Sequence, residues 1–216
     1  MDRARRLFVA GSTGAVGRQV VGVASARGVA VVPHLRPRAE RAAPADERAA
    51  VFELADADAL TGALRACTTV VQLIGTTRSR FATGDTYETS DIGTTKQLVH
   101  AAVTAGVDHF VLLSSVGAGR PLGAYLKAKA RAEALVVACG IPYTIVRPST
   151  FMGEGHSAPP GMQTLTRWFG MKTYQPIAVS QLAALLVHVA ARRTKLGEVL
   201  EGASLWQGVG EALAGE

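Results

Sequence analysis

A short apolar run that ends on a glycine turn constrains this chain more than any other feature. After the basic lead of Arg3, Arg5 and Arg6, the run Leu7-Phe8-Val9-Ala10 passes directly into GSTGAVG, with glycines at Gly11, Gly14 and Gly17. The pattern reads as a buried strand, a tight turn and then a helix. Such a junction leaves backbone N–H groups unpaired at the positive end of a helix, which makes a site for a pyrophosphate.

The same alternation continues along the chain. Val16 to Ala26 has helical apolar spacing and stops at Gly28. Val29 to Leu35 reads as a second strand closed by Pro33 and Pro37, and Val51 to Leu54 as a short third. Asp56 is placed to cap a helix over Ala57 to Ala66. Thr69 to Ile74 is a fourth strand ended by Gly75, and a polar loop from Thr76 to Tyr87 leads to a helix from Ile92 to Ala105. Phe110 to Leu113 ends in Ser114-Ser115, Gly123 to Cys139 is a long helix, and Tyr143 to Val146 ends at Arg147-Pro148. Strands separated by helices of this length need right-handed crossovers. They give an α/β, Rossmann-like, doubly wound parallel sheet with helices on both faces. Ligands of such sheets bind beyond the carboxyl ends of the strands, where the strand order reverses. The glycine turn, Gly75 and Ser114-Ser115 all fall on that edge.

Composition narrows the classes. A chain of 216 residues can bury one substantial core, so 1–216 reads as a single domain. Only 6% of the residues are aromatic, which argues against a stacking platform for nucleic acid. The formal charge of +6 points either to an anionic ligand or partner or, the preferred reading, to a merely basic surface, because the arginines are scattered over 3–6, 36–48 and 192–193 rather than gathered in one stripe. Cys67 and Cys139 are far apart and outside metal spacing, as expected of small hydrophobes in a reducing compartment. Neither a signal peptide nor a membrane span is apparent. The expectation is therefore a cytoplasmic protein, monomeric or homodimeric, with a small-molecule substrate and with neither nucleic acid nor membrane as partner. No metal site is expected. His109, His156 and His188 read as packed or solvated, and Trp168 and Phe169 as core or pocket wall.

Four stretches together resemble the short-chain dehydrogenase/reductase superfamily: VAGSTGAVG, VVQLIGTT, DIGTTKQLVHAAVTAGVDHFVLLSSVGA and YLKAKARAEALVVACGIPYTIVRPSTFMG. They cover about the first 150 residues. The likeness is to its atypical and extended members, the NAD(P)H-binding proteins akin to NmrA-type regulators, flavin reductases and Tat-interacting-protein-like oxidoreductases. The resemblance implies a nicotinamide dinucleotide cradled by Gly11, Ser12, Thr13, Gly14, Ala15, Val16 and Gly17, with Gly75 on the same rim. It places Glu53-Leu54 near the adenine, where relatives usually carry Asp. An NAD site favours a carboxylate at the end of the second strand, and an NADP site favours cations there. This chain has His34-Leu35-Arg36-Pro37-Arg38. A guanidinium forks onto phosphate with paired hydrogen bonds. NADP(H) is therefore expected over NAD(H), with Arg36 on the 2′-phosphate and Arg38 or Ser12 in support.

Tyr125 and Lys129 are four apart and share a helix face. In the family this spacing is the proton-transfer pair. The tyrosine hydroxyl protonates the substrate, while the lysine supports it electrostatically and holds the ribose. A serine after the preceding strand polarises the carbonyl; Ser115 is the choice, with Ser114 next to it. The nine residues between Ser115 and Tyr125 are fewer than the family usually has. Pro148 and Ser149 would help seat the nicotinamide, with Arg147 structural.

Residues 151–216 form a reduced, substrate-side extension, less than extended relatives carry. Gly153 to Gly161 could be a flap and Thr164 to Gly170 a small helix. Pro176 to Ser180 is a short strand leading into a last helix, Leu182 to Arg192, with Gln181 where the family has Asp. The pocket should be small and open. The expected activity is an NADPH-dependent oxidoreductase acting on a small carbonyl, quinone or flavin. The alternatives are a non-catalytic NADP(H) sensor and, third, an epimerase-like enzyme.

Overall fold

The computed structural model describes residues 5–40, 46–75, 86–152 and 172–215. Seven strands form one parallel sheet: β1 (Arg6–Ala10), β2 (Ala30–Leu35), β3 (Ala50–Val51), β4 (Thr69–Gln72), β5 (His109–Leu113), β6 (Tyr143–Arg147) and β9 (Glu198–Glu201), in the order β3-β2-β1-β4-β5-β6-β9. The chain moves outward one way from β1 through β2 and β3, then returns to β4 on the other side. The reversal therefore lies between β1 and β4, which pair Val9 with Val71. A second, two-stranded sheet joins β7 (Phe151–Met152) to β8 (Ile177–Ala178).

Alternation along each strand feeds two core layers. Leu7 and Val9 of β1 face one side with Val71 and Val111. There they pack on α1 (Ala15–Ala26), α6 (Val179–Arg192) and α7 (Ala203–Ala214) through Val20, Leu185 and Val209. Phe8 and Ala10 face the other side with Val70 and Phe110. They meet α3 (Ala57–Arg65), α4 (Thr94–Ala105) and α5 (Gly123–Ala138) through Leu64, Leu98 and Val136. Both faces being covered explains why the strands read as unbroken apolar runs. Asp56 caps α3, its carboxylate accepting from the Ala59 N–H at 3.0 Å. Among the described residues, no helix is long and apolar enough to cross a membrane.

Several boundaries differ from the sequence expectation. β2 runs through Pro33 instead of closing there. β3 covers only His34 and Leu35, so at Pro33 the strand is a sheet edge, where a missing donor is tolerated. β3 and β4 are shorter than read. α4 is preceded by a π-helical turn, Glu88–Gly93, that local pattern does not announce. Arg192 does not end the last helix of the chain, because β9 and α7 follow. α2 (Pro37–Glu40) is a single turn. The flap at 153–161, the helix at 164–170, His156, Trp168, Phe169 and most of the loop 76–87 fall outside the described residues.

Candidate functional site

A cleft of about 650 Å³ opens at the carboxyl ends of β1, β4 and β5, where the strand order reverses. Its floor at one end is the glycine turn. Gly11 has φ +89°, and a Cβ there would stand 3.1 Å from the backbone of Leu73 and Ile74. A Cβ on Gly17 would lie 2.1 Å from the Gly11 carbonyl oxygen, so α1 reaches the turn only because this residue is glycine. α1 starts on Gly14 with no side-chain cap and no acid in its first turn. Its first N–H groups and its positive end are thus presented to the cleft, the geometry that holds a diphosphate. Gly11, Thr13, Gly14, Ala15, Val16 and Gly17 all line the cleft. Ser12 does not. It is buried, and its hydroxyl donates to the His34 carbonyl at 2.6 Å, tying the turn to the end of β2.

Beyond that link the cleft is bordered by Arg36, Glu53 and Leu54. Arg36 and Glu53 are exposed, so both charges are solvated and accessible. Arg38 points from α2 into solvent and does not line the cleft. His34 is buried beside Phe8 and Phe52, and its Nε2 lies 2.9 Å from the Phe52 carbonyl. A carbonyl only accepts, so Nε2 carries the hydrogen. Burial lowers the pKa of His34, which keeps the ring neutral.

At the other end, α5 delivers Tyr125 and Lys129 into the same cleft, as their spacing requires. Lys129 is buried, and its Nζ lies 2.8 Å from Oδ1 of Asp91 and 5.9 Å from the Tyr125 ring centroid. Tyr87 packs against Tyr125, with ring centroids 5.7 Å apart and planes tilted by 55°. Asp91 sits on the π-helical turn. The Thr95 hydroxyl donates to the Asp91 carbonyl at 2.6 Å and the Thr94 hydroxyl donates to the Ser90 carbonyl. The Gln72 amide at the end of β4 donates to Thr94 at 3.2 Å, and its Oε1 accepts from the Ile74 N–H at 3.0 Å. The turn is thereby fastened to the sheet edge.

The two candidate serines part company. Ser114 lines the cleft, and its hydroxyl donates to Glu133 Oε1 at 2.5 Å. Glu133 also receives Arg147 in a two-point contact, 2.9 Å from Nε and 2.5 Å from an Nη, and Arg147 reaches Glu201 at 3.1 Å. The Glu133 carboxylate, ahead of Glu201, raises the pKa of Arg147. Ser115 does not line the cleft; its hydroxyl makes one long contact, 3.4 Å to the Val116 carbonyl. Pro148 and Ser149 lie outside the lining too, and the Ser149 hydroxyl donates to the Gln175 carbonyl at 2.7 Å. Arg147 has the structural role expected of it. Sequence reading missed Asp91, whose partner is distant in the chain. It also missed Glu133, which the i, i+4, i+8 spacing of Tyr125, Lys129 and Glu133 could have revealed.

Comparison with known proteins identifies the family. A family pattern described as NAD(P)H-binding matches residues 11–193. The chain is 28% identical over 207 residues to the mitochondrial protein FMP52 of Debaryomyces hansenii, covering 88% of this chain and 90% of that one. It is 31% identical over 160 residues to a (4-alkanoyl-5-oxo-2,5-dihydrofuran-3-yl)methyl phosphate reductase of Streptomyces griseus, covering 73% of this chain and 52% of that one. Among solved structures, the oxidoreductase ylbE of Lactococcus lactis superposes with a TM-score of 0.67 at 18% identity, covering 97% of each chain. These relatives also overturn the expectation of a cytoplasmic location. FMP52 is named mitochondrial, and the pea protein TIC 62 is named chloroplastic; the latter is 32% identical over 170 residues, 66% of this chain and 32% of that one. A globular composition with two cysteines far apart and outside metal spacing suits any reducing compartment and does not single out the cytoplasm.

Proposed function

The chain belongs to the NAD(P)H-binding family of atypical short-chain dehydrogenases/reductases, and from that premise we propose that it is an NADPH-dependent oxidoreductase acting on a small carbonyl, quinone or flavin. The observation that carries this reading is the meeting of three elements in one cleft: an uncapped glycine turn, the exposed Arg36, and the Tyr125–Lys129 pair. The amides at the start of α1 bind the diphosphate bridge. Arg36 takes the 2′-phosphate in a forked, charge-assisted contact. When bound, the coenzyme supplies the hydride. Tyr125 lies in the cleft wall with its hydroxyl as the proton donor to the acceptor oxygen or nitrogen. Lys129 holds the ribose hydroxyls beside it. Ser114 sends its hydrogen to Glu133, so toward the cleft it offers lone pairs and orients a ligand N–H or O–H.

Purified protein supplied with NADPH should reduce at least one member of a panel of quinones, flavins and small carbonyls. Tyr125→Phe should cut that turnover about 100-fold or more while leaving NADPH affinity nearly unchanged. Undiminished turnover in the variant would remove Tyr125 from the mechanism. A second reading, a non-catalytic NADP(H) sensor, is favoured by the serine geometry, since Ser115 stands outside the cleft and the Ser114 hydrogen is engaged. Tight NADPH binding with no oxidation across the panel would select it.

A further inference from the structure

Gly75 raises a question that backbone geometry does not answer. It is not among the glycines with positive φ, so its conformation is open to any residue. Space is the constraint. A Cβ at 75 would stand 2.8 Å from Lys129 Nζ and 3.1 Å from Asp91 Oδ1. The ammonium and its carboxylate lie directly against this backbone, with side chains 8% and 1% exposed and 2.8 Å apart. A cation so buried is stable only beside its counter-ion, and the π-helical turn is what carries Asp91 to that position. Gln72 and Thr95 anchor the turn to the sheet, so the carboxylate has little freedom to follow a moving ligand.

The pairing changes what Lys129 offers the cleft. With Asp91 against it, the ammonium contributes little net positive charge and acts as a donor held at a fixed point. We propose that Gly75, Asp91 and Lys129 form one unit, a buried socket that fixes the Lys129 ammonium, in which Asp91 and Gly75 are positioning residues acting on the coenzyme only through Lys129. The proposal rests on the reading of the cleft as a coenzyme site, and it accounts for a glycine at 75 by the width of an ion pair.

The test combines coenzyme binding with lysine reactivity. Affinities for NADPH and NADH are measured by fluorescence titration for Asp91→Asn, Gly75→Ala, Lys129→Met and the two doubles that carry Lys129→Met. Lys129→Met should weaken binding about tenfold. Each of the other singles should weaken it by about three- to tenfold, and neither should add more than about twofold in the Lys129→Met background. In parallel, brief acetylation with acetic anhydride is read by mass spectrometry. Lys129 should react about tenfold faster in Asp91→Asn than in the wild-type chain, because its nitrogen is then no longer held at 2.8 Å by a carboxylate, a change that loss of packing elsewhere would not produce at this one residue. If Asp91→Asn does not fold, the Asp91→Leu/Lys129→Met pair, which buries neither charge, restores the fold and should bind coenzyme as Lys129→Met does. Losses that multiply in the doubles would mean Asp91 or Gly75 meets the coenzyme itself and would overturn the proposal, as would unchanged acetylation. A wild-type chain that binds neither coenzyme would refute the coenzyme reading instead, and acetylation alone would then decide the socket.

Discussion

Two clusters of ionisable groups in the sheet are held in opposite ways. At the carboxyl edge the buried Lys129 has Asp91 as its counter-ion, and the half-buried Arg147 has Glu133 and Glu201. At the amino edge His109, the first residue of β5, has no counter-ion among the described residues. Its Nε2 lies 2.9 Å from the Thr144 hydroxyl, which itself donates to the Lys195 carbonyl at 3.0 Å. Nε2 therefore carries the hydrogen and Nδ1 is a bare lone pair, with no hydrogen-bond partner among the described residues. Burial first, then the nearby Arg193 charge, lowers the pKa of His109 to about 4. The two pairs keep their charges, whereas His109, like His34 at the carboxyl end of β2, is kept neutral by burial. Pairing leaves charged donors ready for a ligand at ordinary pH, whereas neutralising gives a group that acid attacks.

Breaking a pair should cost most. Glu133→Ala strips the half-buried Arg147 of its two-point partner, leaving it only Glu201, and leaves the Ser114 hydroxyl unpaired, for a loss of about 3 kcal/mol in urea unfolding. A loss below about 1 kcal/mol would mean that the network is wet and the contrast between the edges false.

The amino edge should respond to pH. The folded pKa of His109 lies below its unfolded value of 6.5, so the unfolded chain binds the extra proton first. Stability is then intact above pH 6.5, falls as pH drops through that value, and levels off below about 4. The full swing is about 3 kcal/mol. His109→Asn should flatten that part of the acid limb, and a limb of unchanged slope would acquit His109.

Arg36 is the exposed counterpart of the buried cations, and its effect should be on binding alone. Arg36→Ala should weaken NADPH about ten- to 100-fold while NADH changes less than about threefold. Stability should stay within about 0.5 kcal/mol. Equal losses for the two coenzymes would remove the 2′-phosphate from its role. Smallest of all is the pair between Arg131 and Glu88, 2.9 Å apart with side chains 61% and 64% exposed. Arg131→Ala should cost about 0.5 kcal/mol or less, measured by thermal unfolding, which makes it the control for the buried pairs.

Reading the chain recovered the sheet and half of the cleft for a physical reason. The strand at Leu7–Ala10, the glycines at 11, 14 and 17, and the Tyr125–Lys129 spacing are local signals, each complete within one or two turns of chain. Asp91 was illegible because its meaning depends on Lys129, on another helix, and because a π-helical turn has no sequence period of its own. The choice between Ser114 and Ser115 likewise turns on Glu133, which no pattern at the strand end contains. β9 was missed because it is an edge strand in which Leu200 alone is buried. α7 was legible and overlooked, since Leu205, Val209 and Ala212 recur at helical spacing.

Arg147 joins three parts of the chain, and one of them lies beyond the residues that the family pattern matches. Glu201, on β9, sits past residue 193, where the family pattern stops. Through Arg147 and Glu133 that tail steadies Ser114 from behind. A change confined to the carboxy-terminal residues can thus reach the wall of the cleft at Ser114 while every residue lining the cleft stays the same.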